Sequence, residues 1–283
     1  MTTPRRVAVA FLAALLAAAS ADASPWSEVP GPSPGPPRVI GEAAKGCLAG
    51  AVALPTEGPG FQVIHLSRRR NFSHPQTIDF IERLGRASAA AGLPPFYIGD
   101  MSLPRGGPMP NGHASHQSGV DVDIWFNLDP KPDLAPAARE DVPLPTMVNA
   151  TQTGVDPARF GKNQVTLLRL AASDPRVDRI FVNRAIKKAL CEGVGGAASG
   201  DRSWLHRIRP WYGHDEHFHV RLVCPADSPD CVHQAPVPAG DGCDASLDWW
   251  FHPQPPTPPE PGPTKPRPVP KLPAQCQAVL SAR

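Results

Sequence analysis

Six cysteines constrain this chain more than any other feature: Cys47, Cys191, Cys224, Cys231, Cys243 and Cys276. Their number is even, and all of them follow an apolar leader. In an exported protein such a set is expected to close into three disulfides, which staple distant parts of the chain together. Six cysteines admit fifteen pairings, and sequence alone does not choose among them. Cys224 and Cys231 are the easiest local pair, closing a small loop that holds Pro225 and Pro229. A cysteine zinc site would need paired C-x-x-C spacings, and there are none.

The leader is what makes oxidation the expected state. Arg5 and Arg6 precede an alanine- and leucine-rich apolar run over residues 7–19, and Ala21-Asp22-Ala23 supplies an A-x-A cleavage signal. Residues 1–23 therefore read as a secretory signal peptide that delivers the chain to the periplasm; the competing reading is an uncleaved N-terminal anchor. The run is too short to span a bilayer, and no later segment is long and apolar enough, so no membrane span is expected. The formal net charge of +2 over 283 residues gives no support for nucleic-acid binding or strong membrane attraction.

Proline marks the ends of the folded part. Residues 24–37 are rich in Pro, Gly and Ser and read as an extended lead-in. Residues 38–252 form the expected domain, and residues 253–283 a Pro-rich tail tied back by Cys276. The tract 253–273 has almost no apolar residues, so it carries no core and favours polyproline II or disorder. It reads either as a docking segment for another protein or as a tail strapped over the domain.

Between these tracts the hydrophobic pattern is mixed. Residues 76–91 read as a helix, with Ile78, Ile81 and Leu84 on one face, Pro75 in its first turn, and Gly92 and Pro94 ending it. Residues 163–173 read as a second helix. Residues 96–99 and 179–183 read as strands. Residues 120–126 alternate, with Val122 and Ile124 on one face and Asp121, Asp123 and Trp125 on the other. Residues 217–223 alternate likewise, with Phe218, Val220 and Leu222 opposite His217, His219 and Arg221. The expectation is a disulfide-stapled α+β domain, an antiparallel sheet with flanking helices.

Five of the ten histidines fall in two short segments, 112–123 and 211–220. On a strand, residues two apart project from the same face about 7 Å apart, so His217 and His219 point together. Asp123 lies mid-strand among apolar and aromatic neighbours, which is costly for a carboxylate unless it is paired or bound to a metal. His116 lies in a Gly- and Ser-rich loop that can fold back toward Asp123. Two histidines and a carboxylate leave a fourth position for water, the open ligand set of a catalytic zinc. Asp121 reads as a solvated or hydrogen-bonding carboxylate, and Asp215 and Glu216 as a solvated turn rather than as general bases. His65, His74, His206, His233 and His252 have no partner pattern.

H-x(6)-D from His116 to Asp123 and H-x-H from His217 to His219 resemble the LAS-type metallopeptidases, a group that includes the hedgehog fold. With GHASHQSGVDVDI around the first motif, RIFVN at residues 179–183, Arg209-Pro210-Trp211 and the six cysteines in place, the chain most closely resembles the penicillin-insensitive murein endopeptidases. That resemblance implies a LAS/hedgehog-like fold and one catalytic Zn2+ held by His116, Asp123 and His219, with His113 close by and sometimes counted as a ligand. It implies His217 as the general base and His214 as a further active-site histidine. A protonated His214 or His113 would help hold the oxyanion. It implies disulfides Cys47–Cys276, Cys191–Cys243 and Cys224–Cys231. The implied substrate is peptidoglycan, the murein sacculus, cut at D-alanyl–meso-diaminopimelyl cross-links without a nucleophilic serine. Phe218 stands where the pattern has methionine. Residues 129–160 match poorly and contain no histidine, so a second metal is not expected. The rival readings are a D,D-carboxypeptidase or dipeptidase on the same fold, and a wall- or zinc-binding protein without activity.

Overall fold

The computed structural model describes residues 24–110, 113–130, 132–252 and 271–283. Residues 1–23, which read as a signal peptide, and most of the proline-rich tract lie outside these residues. Among the described residues no helix is long and apolar enough to cross a membrane. The strands are β1 (Arg38–Glu42), β2 (Lys45–Ala49), β3 (Val52–Ala53), β4 (Glu57–Gly58), β5 (Phe61–Val63), β6 (Phe72–Ser73), β7 (Phe96–Ile98), β8 (Asp121–Trp125), β9 (Val177–Val182), β10 (Ile208–Pro210) and β11 (His217–Leu222). The helices are α1 (Pro75–Ala90), α2 (Lys162–Ser173), α3 (Arg184–Cys191), α4 (Ala245–Asp248) and α5 (Gln275–Ser281). The fold is α+β, as the sequence pattern indicates.

Seven strands form one sheet in the order β10-β9-β11-β8-β7-β5-β4, with two-stranded pairs β1-β2 and β3-β6 beside it. The sheet is mixed, which corrects the antiparallel expectation: β5 pairs β7 and β9 pairs β10 in parallel. Parallel neighbours need a long crossover, usually helical. α1 lies between β5 and β7 in the chain, and α3 between β9 and β10. Periodicity reveals α1 but not α3, and each of these helices carries one of the two crossovers that make the sheet mixed.

α1 begins where Pro75 and its neighbours predict. The His74 side chain accepts a hydrogen bond from the Gln76 amide at 3.2 Å, and Pro75 fills the first helical position, where a missing N–H costs nothing. Ile78, Ile81 and Leu84 are buried on its inner face. Val122 and Ile124 of β8 and Phe218 and Val220 of β11 are fully buried and join them in the main core. The opposite faces of β8 and β11 are thereby left to their polar residues.

Three disulfides join Cys47 to Cys276, Cys191 to Cys243 and Cys224 to Cys231, across 229, 52 and 7 residues, the same pairing that the family resemblance implies. No cysteine is free. The lead-in is packed rather than merely extended. Trp26 is buried in a small second core with Ile40, Leu103, Met109, Val279 and the Cys47–Cys276 bridge. Arg105, itself buried, ties both ends of the described chain together. Its Nε donates to the Gly31 carbonyl at 3.0 Å, and its Nη1 donates to the carbonyls of Val279, Leu280 and Ala282 at the end of α5. A cation here satisfies the orphan carbonyls of the last helical turn. Arg105→Ala strands those acceptors in a buried place and is expected to cost about 3 kcal/mol, read as a lower denaturant midpoint. An unchanged midpoint would show that the two ends are held by the disulfide and Trp26 alone.

Candidate metal centre

The site is set by the pairing of two strands. β11 runs antiparallel to β8 with His219 opposite Asp123, His217 opposite Trp125 and Arg221 opposite Asp121. Directly opposed residues share a face, so two histidines, two aspartates, an arginine and a tryptophan stand together on the side of the sheet away from the main core. The loop before β8 brings His113 and His116 over the same spot. His116 holds a left-handed backbone (φ 64°), unusual for a residue with a side chain, and its N–H donates to Asp121 Oδ2 at 3.0 Å.

Asp123 is the hub. Its Oδ1 lies 3.3 Å from His116 Nε2, 3.3 Å from His219 Nδ1 and 3.8 Å from His217 Nε2, and its Oδ2 lies 3.7 Å from His113 Nδ1. The carboxylate is 3 % exposed. Burial alone would raise its pKa, but His116 and His217 beside it hold it well below the usual carboxylate range. Ligand atoms of His113, His116 and Asp123 all lie within 4.8 Å of one another. Both ring nitrogens of His116 and the Oδ1 of Asp123 are buried without a hydrogen-bond partner. Orphaned donors and acceptors at such depth are expensive, and a cation among them would take up one His116 nitrogen and the Asp123 oxygen. His and carboxylate donors together suit zinc and other borderline divalent ions.

Two carboxylates behind the cluster aim the rings. Asp100 Oδ2 lies 2.7 Å from His113 Nε2 and 2.6 Å from Arg70, leaving His113 Nδ1 to face Asp123. Asp121 Oδ1 lies 3.2 Å from His219 Nε2 and receives Arg221 through both of its oxygens, at 2.8 and 3.0 Å, leaving His219 Nδ1 to face Asp123. Such carboxylate–histidine pairs fix ring orientation and make the ligand nitrogen more basic. Although burial alone would lower it, Asp121 and Asp123 raise the His219 pKa. Asp121 is therefore a buried hydrogen-bonding carboxylate, not a solvated one. Asp100 is a functional residue that sequence reasoning missed. Its only signal is its place in Gly99-Asp100-Met101, a stretch without chemical pattern.

His217 flanks the ligand atoms. Its ring packs 4.9 Å from Trp125 and 5.1 Å from His214, and its Nδ1 is buried without a partner. Burial lowers its pKa, with His219, His113 and His116 acting in the same direction against Asp123, so the ring is neutral near pH 7. His214 also sits in a left-handed backbone (φ 54°), and its Nδ1 donates to the Tyr212 carbonyl at 2.6 Å. Burial, with His219 and His217, pulls its pKa down to about 3, so its Nε2 is a bare acceptor. All six predicted residues, His113, His116, Asp123, His214, His217 and His219, meet in one cluster. Asp215 and Glu216 stand outside it: Asp215 receives the Thr146 hydroxyl, and both are half-buried rather than solvated. Among the remaining histidines, His74 caps α1 and His65 and His206 bond backbone carbonyls.

Comparison with known proteins agrees over nearly the whole chain. A family model described as penicillin-insensitive murein endopeptidase matches residues 39–281. The chain is 47 % identical over 262 residues to a penicillin-insensitive murein endopeptidase of Haemophilus influenzae, covering 91 % of this chain and 88 % of that one. It is 43 % identical over 278 residues to proteins of the same name from Salmonella newport and Salmonella heidelberg, covering 98 % of each chain.

Proposed function

The chain belongs to the penicillin-insensitive murein endopeptidase family, and on that premise we propose that it is a zinc-dependent D,D-endopeptidase that hydrolyses D-alanyl–meso-diaminopimelyl cross-links of peptidoglycan in the periplasm. The observation that carries the metal assignment is the buried, unpartnered set of His116 nitrogens and Asp123 Oδ1, with two further histidines turned toward it by Asp100 and Asp121. His116, Asp123 and His219 would hold the ion, and His113 Nδ1 is within reach as a fourth ligand.

Zinc, when bound, supplies Lewis acidity: it polarises a carbonyl and lowers the pKa of a neighbouring water. The protein's own groups supply the proton traffic. His217, neutral and beside the ligand atoms, accepts the proton of the attacking water and returns it to the leaving amine nitrogen. His214, with its Nδ1–H on the Tyr212 carbonyl and its pKa held down by burial, offers Nε2 as an acceptor that orients substrate or water. Asp100, Asp121 and Arg221 hold the histidines in register. No serine or cysteine nucleophile enters, and every cysteine is in a disulfide. Nothing in the described residues or in the comparisons supports a partner for the proline-rich tract.

The test is chromatographic analysis of purified cross-linked muropeptides incubated with the protein. Cross-linked dimers are expected to fall to monomers, with a chelator blocking the reaction and added zinc restoring it. Loss of terminal D-alanine with dimers intact would move the protein to the carboxypeptidase reading. No change with any divalent metal would favour a non-catalytic wall protein.

A further inference from the structure

Three of the five large apolar side chains that are markedly exposed among the described residues meet in one place: Trp211, Tyr212 and Trp249, at 49, 52 and 51 %. The other two, Val52 and Val232, are aliphatic. Trp250 completes the cluster, with ring centroids 6.1 Å from Trp211, 5.1 Å from Tyr212 and 5.2 Å from Trp249. The rings are tilted against one another by 55–89°, so they do not make one flat shelf.

The aromatic group adjoins the histidine cluster. Phe181 lies 5.6 Å from Trp211 and 5.3 Å from His219, and the Tyr212 carbonyl holds His214. The fold ties it in on both sides. Trp211 and Tyr212 follow edge strand β10, and Gly213 and His214, both left-handed, turn the chain back toward β11. Trp249 and Trp250 follow α4, just after the Cys191–Cys243 bridge, and Arg184 donates to the Trp250 carbonyl at 2.9 Å.

We propose that Trp211, Tyr212, Trp249 and Trp250 form a saccharide subsite that receives an amino-sugar ring of the glycan strand while the attached peptide lies over the histidines. This rests on the murein reading of the adjoining site. Exposed aromatic rings beside a catalytic cluster mark a ligand surface. Their faces suit a neutral ring with one C–H face, and the indole N–H and phenol O–H groups at their rims suit its hydroxyl and acetamido groups. A peptide strand fits this edge poorly, because β10 is three residues long and ends in Pro210, which has no N–H to donate. A carboxylate is disfavoured over the negative faces of the rings.

The test begins without catalysis. The protein is titrated with N-acetylchitotriose, which carries no peptide to cut, and followed by tryptophan fluorescence. Saturable binding is expected, weakened about tenfold in Trp211→Ala and again in Trp249→Ala. No saturable binding by the wild type, or equal binding by the variants, overturns the proposal. This arm stands or falls whether or not the protein cuts cross-links. In a second arm, cross-linked dimers carrying their sugars compete with the same peptide dimers stripped of sugar. The wild type is expected to prefer the former, and Trp211→Ala to lose the preference. An equal loss on both substrates would assign the rings to the peptide and overturn the saccharide assignment.

Discussion

Replacing Asp123 with alanine is expected to strip the protein of bound zinc and to abolish cross-link cleavage. Asp123 is the point on which His113, His116, His217 and His219 converge, and its Oδ1 has no other partner. Metal chemistry supplies several kcal/mol of transition-state stabilisation, so its loss corresponds to a fall of roughly a thousandfold or more in turnover. The fold should survive, because the apolar faces of β8 and β11 and all three disulfides are untouched. Three measurements check it: metal content by mass spectrometry, dimer cleavage, and a cooperative thermal transition. Wild-type zinc content in a folded Asp123→Ala protein would remove Asp123 from the ligand set. Asp123→Asn separates charge from shape, and is expected to retain little metal because the amide brings no negative charge to the site.

Replacing His217 with alanine is expected to do something different: to leave zinc in place and still stop cleavage. His217 lies farther from Asp123 Oδ1 than His116 and His219 do, 3.8 Å against 3.3 Å, and it alone of the two β11 histidines has no carboxylate of its own behind it. A ring without that backing is the one free to exchange a proton. Loss of a general base costs about 10²–10⁴ in turnover, and here it should appear in kcat with KM little changed. Loss of zinc together with activity would make His217 a ligand rather than the base, and full turnover would exclude it from the chemistry.

Much of this was legible in the chain. The alternation at residues 120–126 and 217–223 separates core-facing from site-facing residues, and the structure keeps Val122, Ile124, Phe218 and Val220 in the main core while Asp123 and His219 stand opposite each other at the site. Alternation is readable because it is local: successive side chains on a strand leave opposite faces whatever the strand pairs with. The α1 start at Pro75 was readable for the same reason. The parallel pairings of β5 with β7 and β9 with β10 were not, since strands of two to six residues carry no mark of their neighbour's direction.

By itself the sequence determined which residue types the molecule could bring to bear: a histidine- and aspartate-bearing face on two strands, a glycine-rich loop carrying two more histidines, and six cysteines able to bridge. Only the tertiary structure decided that His219 stands opposite Asp123, that Asp100 and Asp121 lie behind His113 and His219, and that Trp211 meets Trp250 across some forty residues of chain. Faces follow from bond geometry within a few residues. Register, ring orientation and ring clusters follow from which long-range pairing buries the most apolar surface while leaving the fewest polar atoms unpaired, and that choice belongs to the whole chain at once.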